Sequence, residues 1–127
     1  MMYKPKLEKD ICCPLEYGLD LFGGKWKTRI ICVLDAYEQM RYSRIRTEMV
    51  DITDAVLAAT LKELVRDGLV ERIQFNEIPP HVEYRLTEKG KSVLPILQSI
   101  CVWSGQIMKE DTTGHMKHCE KCTYKGI

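Results

Sequence analysis

The sequence lacks most of what a membrane protein or an enzyme needs. Its longest unbroken apolar run in a core segment is "IICVL", Ile30 to Leu34, and a bilayer-spanning helix takes roughly 20 such residues. The opening "MMYKPKLEKD" has no apolar h-region of the kind that directs secretion, so the expected location is the cytoplasm. Histidine is scarce: His81, His115 and His118 are the whole supply. None lies near a cysteine inside the segment expected to fold, so a thiol nucleophile would have no base. There is no nucleophile elbow and no dinucleotide fingerprint. An enzyme is therefore not expected, and no cofactor is implied. Net charge is also in short supply, at +1, so a polyanion would have to be bound by particular surfaces and not by bulk charge. No internal repeat is present.

What is there describes one ordinary globular domain. The chain has 127 residues, 45% hydrophobic and 29% charged, enough for a single core. The near-zero net charge conceals an asymmetry. Between 25 and 46, Lys25, Lys27, Arg29, Arg41, Arg44 and Arg46 face only Asp35 and Glu38, whereas from 47 to 88 four cations meet nine acids. Six cysteines could signal a disulfide scaffold in a secreted chain, but without a signal peptide they read as reduced thiols.

"LFGGKWKTR", Leu21 to Arg29, resembles a phosphate-cradling loop only superficially. Gly18 and Gly23 have the P-loop spacing, yet no hydroxyl follows Lys25 and no strand precedes the loop. The glycines instead read as a helix stop. "CPLEYGLDLFGG" places Cys13 as N-cap, Pro14 at the first helical position and glycine at the end. A second helix is expected from about Lys25 to Ala36, with Trp26, Ile30, Val33 and Leu34 facing a core. Lys25 then stands at a helix end, where it can meet a nucleic-acid phosphate.

"RYSRIRTEM" predicts a third short helix, with Tyr42, Ile45 and Met49 at helical spacing. After "VDIT", Thr53 or Asp54 caps a fourth, which runs to about Asp67 and stops at Gly68. At about 100° per residue, Leu57, Leu61 and Leu64 share one side of it, while Ala55, Ala58, Ala59, Lys62 and Arg66 share the other. "LVERIQFN" and "EYRLT" alternate as strands around the turn "EIPPHV". A helix-turn-helix followed at once by a hairpin is the winged-helix arrangement. The fold class is therefore mainly α with a small β-hairpin, the hairpin being the wing, with Pro80 and His81 at its tip.

A final helix is expected from Thr87 to about Lys109, bent or restarted at Pro95. Val93, Leu97, Ile100 and Ile107 form an apolar stripe that Ile96, Trp103 and Met108 widen. A helix apolar over more than one face at the end of a domain predicts burial against a second copy, with Val93, Leu97, Ile100, Trp103 and Ile107 at the contact and the N-terminal helix beside it. The expected division is a domain over 1–110 and a polar, mobile tail over 111–127.

Together "CPLEYGLDLFGGKW", "RYSRIR", "LAATLKELVRDGLVER" and "IPPHVEYRLTEKG", with the late Trp103, resemble the HxlR-type winged helix-turn-helix transcriptional regulators, relatives of the MarR group. The resemblance covers about Cys13 to Met108. It implies a homodimer bound to a pseudo-palindromic operator in double-stranded DNA, with no membrane role. It further implies that the fourth helix is the recognition helix, that Lys25 and Arg41 lie near the DNA backbone, and that residues 77 to 83 form the wing. It also implies that a cysteine at the position of Cys13 can sense electrophiles or oxidants. One departure is that the recognition helix shows Ala55, Ala58 and Ala59 where amides or arginine are usual. Alanine can touch a thymine methyl but makes no bidentate hydrogen bond, which leaves Thr53, Asp54 and Lys62 as polar readers and gives weight to DNA shape.

Other readings stand beside these. Cys13 is either a thiol tuned by a helix N-terminus or one without a role, and Asp10 and Glu16 oppose the tuning. Cys12 is a resolving partner or a spectator, and Cys32 and Cys101 read as small core residues. In the tail, His115, His118, Cys119 and Cys122 are weak metal candidates, because structural zinc sites draw ligand pairs from separated segments. The alternatives to a DNA-binding regulator are thus a winged-helix protein-interaction module without DNA affinity and a metal-responsive regulator using that tail.

Overall fold

The computed structural model describes residues 10–108. Six helices and three strands follow in the order α1 (Pro14–Phe22), α2 (Lys25–Tyr37), β1 (Gln39–Arg41), α3 (Tyr42–Met49), α4 (Asp54–Arg66), β2 (Val70–Phe75), β3 (His81–Leu86), α5 (Glu88–Lys91) and α6 (Leu94–Gly105). None of these helices is long and apolar enough to cross a membrane. The tail ligand candidates His115, His118, Cys119 and Cys122, and the expected boundary at 111, lie outside the described residues.

The Gly pair does stop one helix and start another. Gly23 closes α1 by donating its N–H to the Leu19 carbonyl at 2.7 Å, in so tight a turn that a Cβ would run into that carbonyl. Gly24 precedes α2 at φ +94°, a conformation that suits glycine. From α2, Ile30, Ile31, Val33 and Leu34 enter the core and meet Ile45 and Met49 of α3 and Leu57, Leu61 and Leu64 of α4. An isolated helix of α4's length is marginal in water. Full burial of each leucine contributes roughly 1.5–3 kcal/mol, so packing holds α4 in place.

Two details go beyond the sequence pattern. The sheet has three strands, in the order β1-β3-β2, and not a hairpin alone. Met40 of β1 pairs with Tyr84 and is buried, so β3 is flanked on both sides. A three-residue strand has too little sequence for an alternating pattern to show. The final helix is restarted at Pro95, one of the two expected alternatives, and so is two helices. Proline at 95 has no N–H to bond the Lys91 carbonyl one turn back, and its ring crowds that carbonyl. α5 accordingly ends at Lys91, α6 begins at Leu94, and α6 itself ends at Gly105, short of Ile107.

The base of the wing is fastened to the end of α4 by residues of two separate motifs, "DGLV" and "LTEKG". The Thr87 hydroxyl donates to the Gly68 carbonyl at 2.6 Å and accepts from the Gly90 N–H at 3.0 Å, capping α5. Lys89 Nζ reaches the Asp67 carbonyl at 2.8 Å. Gly90 is buried so closely on the Leu69 carbonyl that a Cβ has no room.

Candidate nucleic-acid interface

α4 presents the face expected of it. Leu57, Leu61 and Leu64 are buried, while Ala55, Ala58, Ala59, Lys62 and Arg66 are exposed. Thr53 is the N-cap and accepts the Val56 N–H at 3.2 Å, which commits its oxygen to the helix. Lys62 has no hydrogen bond or ion pair among the described residues. Arg66, by contrast, is tied to Asp67 at 3.2 Å, and that hydrogen bond and charge push its pKa further up.

Two of the expected polar contacts already have partners within the protein. Asp54 Oδ1 lies 2.6 Å from Arg46 and accepts from the Tyr42 hydroxyl at 3.4 Å, so one of its two oxygens is taken. Burial and the Asp54 charge together raise the Tyr42 phenol above its usual pKa, which keeps it a donor. His81 is turned into the hairpin instead of outward. Its ring stacks on Phe75 with centroids 4.6 Å apart, and its two nitrogens face Glu83 at 2.9 Å and Glu77 at 3.9 Å. Glu83 in turn accepts from the Gln39 amide at 2.7 Å, and this bond, with His81, holds its carboxyl below the usual range. The wing tip itself is apolar, with Ile78 fully exposed beside exposed Pro79 and Pro80.

Around the periphery, Lys25 and Arg29 both lie over the Trp26 ring, 4.4 and 5.4 Å from its centroid. Arg41 is exposed where β1 gives way to α3. Arg46 and Tyr42 stand at the entrance to α4, although the sequence placed Arg46 only in the basic cluster and Tyr42 with the core stripe. Their i, i+4 spacing on α3 was the available signal that they share a face.

α1 and α6 stand out for their exposed apolar residues. Leu15 and Leu19 of α1, and Ile96, Ile100 and Trp103 of α6, are exposed, as is Ile107 just beyond α6. Val93 and Leu97, expected at a contact with a second copy, are packed into the chain's own core. Past Leu97 no residue of α6 is buried, so Cys101 is exposed and not the core thiol expected of it. Cys13 is exposed at the α1 N-cap with no side-chain capping bond. The neighbouring Cys12 thiol is pushed up in pKa by Glu16 and then Asp10, and its N–H is held by Glu16 at 2.8 Å.

Residues 21–112 match the family described as HxlR-like helix-turn-helix. An uncharacterised HTH-type transcriptional regulator of Methanothermobacter thermautotrophicus is 43% identical over 96 residues, covering 76% of this chain and 72% of that one. The crystal structure of YtcD, an uncharacterised HTH-type transcriptional regulator of Bacillus subtilis, superposes with a TM-score of 0.71 at 37% identity, over 75% of this chain and 96% of that one. The redox regulator HypR in its oxidised form does so with a TM-score of 0.67 at 37% identity, over 77% and 99%. These relatives are all described as regulators, most of them transcriptional. With a helix-turn-helix followed by a hairpin in a three-stranded sheet, and a match over most of its length, this chain belongs to the HxlR-like helix-turn-helix family of DNA-binding transcriptional regulators.

Proposed function

We propose that the chain acts as a homodimer on a pseudo-palindromic operator, with α4 in the major groove of each half-site and the β2–β3 hairpin along the flanking backbone. The observation that carries this is the outer face of α4, where Ala55, Ala58, Ala59 and Lys62 are exposed opposite three buried leucines. Small side chains let a helix approach the groove floor and touch thymine methyls. With Asp54 paired to Arg46 through one oxygen and Thr53 capping α4, Lys62 is the polar reader without a partner among the described residues, and DNA shape supplies the rest of the selectivity.

The dimer reading is supported by the exposed apolar residues of α1 and α6, since such a patch marks an interaction surface. The proposal extends to Cys13 as an oxidant sensor. Its support is an exposed thiol at the start of α1, on a helix that shares the proposed dimer surface, and the likeness to a redox regulator. The protein resides in the cytoplasm on this reading.

Recovery of genomic fragments by the purified chain, followed by fluorescence anisotropy, tests the core of this. Lys62→Ala should weaken binding to the recovered fragment by about 1–3 kcal/mol and relax preference at one base position. Unchanged affinity and preference would take this face of α4 away from the DNA. Absence of salt-dependent binding to any duplex would leave a protein-interaction module in its place.

A further inference from the structure

At the entrance to α4, side chains from both helices of the helix-turn-helix converge. Asp54 is the first residue of α4 and its side chain is 68% exposed, while that of Arg46 is 51% exposed. One Asp54 oxygen lies 2.6 Å from the Arg46 Nε. The Tyr42 hydroxyl is 3.2 Å from the Asp54 carbonyl and 3.4 Å from the same carboxylate oxygen. Tyr42 and Arg46 are four residues apart on α3, so one face of α3 grips the start of α4. Arg44 turns elsewhere, over the Tyr37 ring at 4.8 Å and toward Glu48 at 3.8 Å.

A carboxylate here is out of place on a surface meant for a polyanion, unless it serves the cation beside it. A bare acid would repel phosphates. Its Oδ1 is shared between Arg46 and Tyr42, which leaves Oδ2 alone to accept from a cytosine amino group if Asp54 were a base reader. An exposed ion pair adds little to folding stability, so its consequence is geometric: it restrains a long, flexible side chain. A guanidinium carries five N–H donors, and one carboxylate oxygen leaves it able to bind a phosphate.

We infer that Asp54 is a positioning residue and not a base reader: it holds the Arg46 guanidinium at the N-terminal edge of α4 to bind a backbone phosphate, with the Tyr42 hydroxyl steadying Asp54 in turn. The contact sets how α4 sits in the groove. This rests on the DNA-binding reading above.

The test uses the full chain with Arg46→Ala, Asp54→Ala and the double variant, titrated at several salt concentrations against a random duplex and against the fragment recovered by the wild type. Arg46→Ala should weaken both duplexes alike and lower the salt slope by about 1. Asp54→Ala should weaken binding several-fold while Arg46 is present and no longer weaken it once Arg46 is alanine, with thermal midpoints matching the wild type. If Arg46→Ala melts early, Arg46→Lys replaces it, and is expected to keep the salt slope while losing affinity several-fold. Full affinity in Arg46→Lys, or an unchanged slope in Arg46→Ala, would overturn the assignment. So would a changed base preference in Asp54→Ala that is equal with and without Arg46, because that is how a base reader behaves. A wild type that binds no duplex at low salt sinks the DNA-binding reading itself, whereas a binding wild type with indifferent variants sinks only the pairing of Asp54 with Arg46.

Discussion

Val50 sits in the turn between α3 and α4 at φ +74° and ψ −77°, where the Asp51 N–H bonds the Met49 carbonyl at 3.0 Å. This is the positive-φ γ-turn, rare and strained for any residue with a Cβ and worse for a β-branched one. The side chain is 67% exposed and adds little packing in return. Glycine at 50 should relieve roughly 1–3 kcal/mol of strain against roughly 0.5–1 kcal/mol of added chain entropy. Val50→Gly is therefore expected to stabilise the fold by about 1 kcal/mol in a urea melt, with destabilisation as the contrary result. At the same scale, Cys13→Ser should bind DNA normally when reduced but lose its response to diamide. The exposure of Cys101 makes it a rival target, so the comparison needs Cys101→Ser and a chain lacking Cys119 and Cys122. An oxidant response kept by Cys13→Ser and lost in either of those would move the sensor away from α1.

At the scale of elements, the wing is held by the pairing of its own strands and by the junction that ties its base to the end of α4. Thr87 and Lys89 bond the carbonyls of Gly68 and Asp67, and Gly90 lies flat on that of Leu69. A methyl group at 90 would meet a backbone carbonyl on one side and Leu86 on the other, neither of which can move freely. Gly90→Ala should cost about 1–3 kcal/mol through overpacking, measured by chemical denaturation. It should also weaken DNA binding, because the wing would tilt relative to α4. Wild-type stability in that variant would show that the junction yields more easily than its geometry implies.

Across the whole molecule, the apolar surface is divided between a core that the chain fills itself and a surplus that it leaves exposed. Val93 and Leu97 belong to the first, while Ile100, Trp103 and Ile107, with Leu15 and Leu19 of α1, belong to the second. If that surplus is the dimer contact, Ile100→Asp should give a folded monomer, since its side chain is already exposed within one chain and the new charge would be buried only in the dimer. Sedimentation should then show a halved mass and DNA binding should be lost. Two recognition helices bind together only when held about 34–36 Å apart, or a multiple of that. A wild type that sediments as a monomer at micromolar concentration would end this reading.

The sequence by itself determined the helices, the Gly23–Gly24 stop, α4 with its buried and exposed sides, and the two longer strands. All of these rest on period, caps and turn residues that act within a few positions of one another. Only the tertiary structure decided that Gln39–Arg41 pairs as a third strand, because so short a segment becomes a strand by meeting the open edge of β3. It also decided that His81 turns inward between two carboxylates, that Asp54 faces Arg46, and which apolar residues of α6 the core consumes. These are contacts between groups far apart in the chain or on different helices, and no local pattern encodes which partner a polar side chain will find.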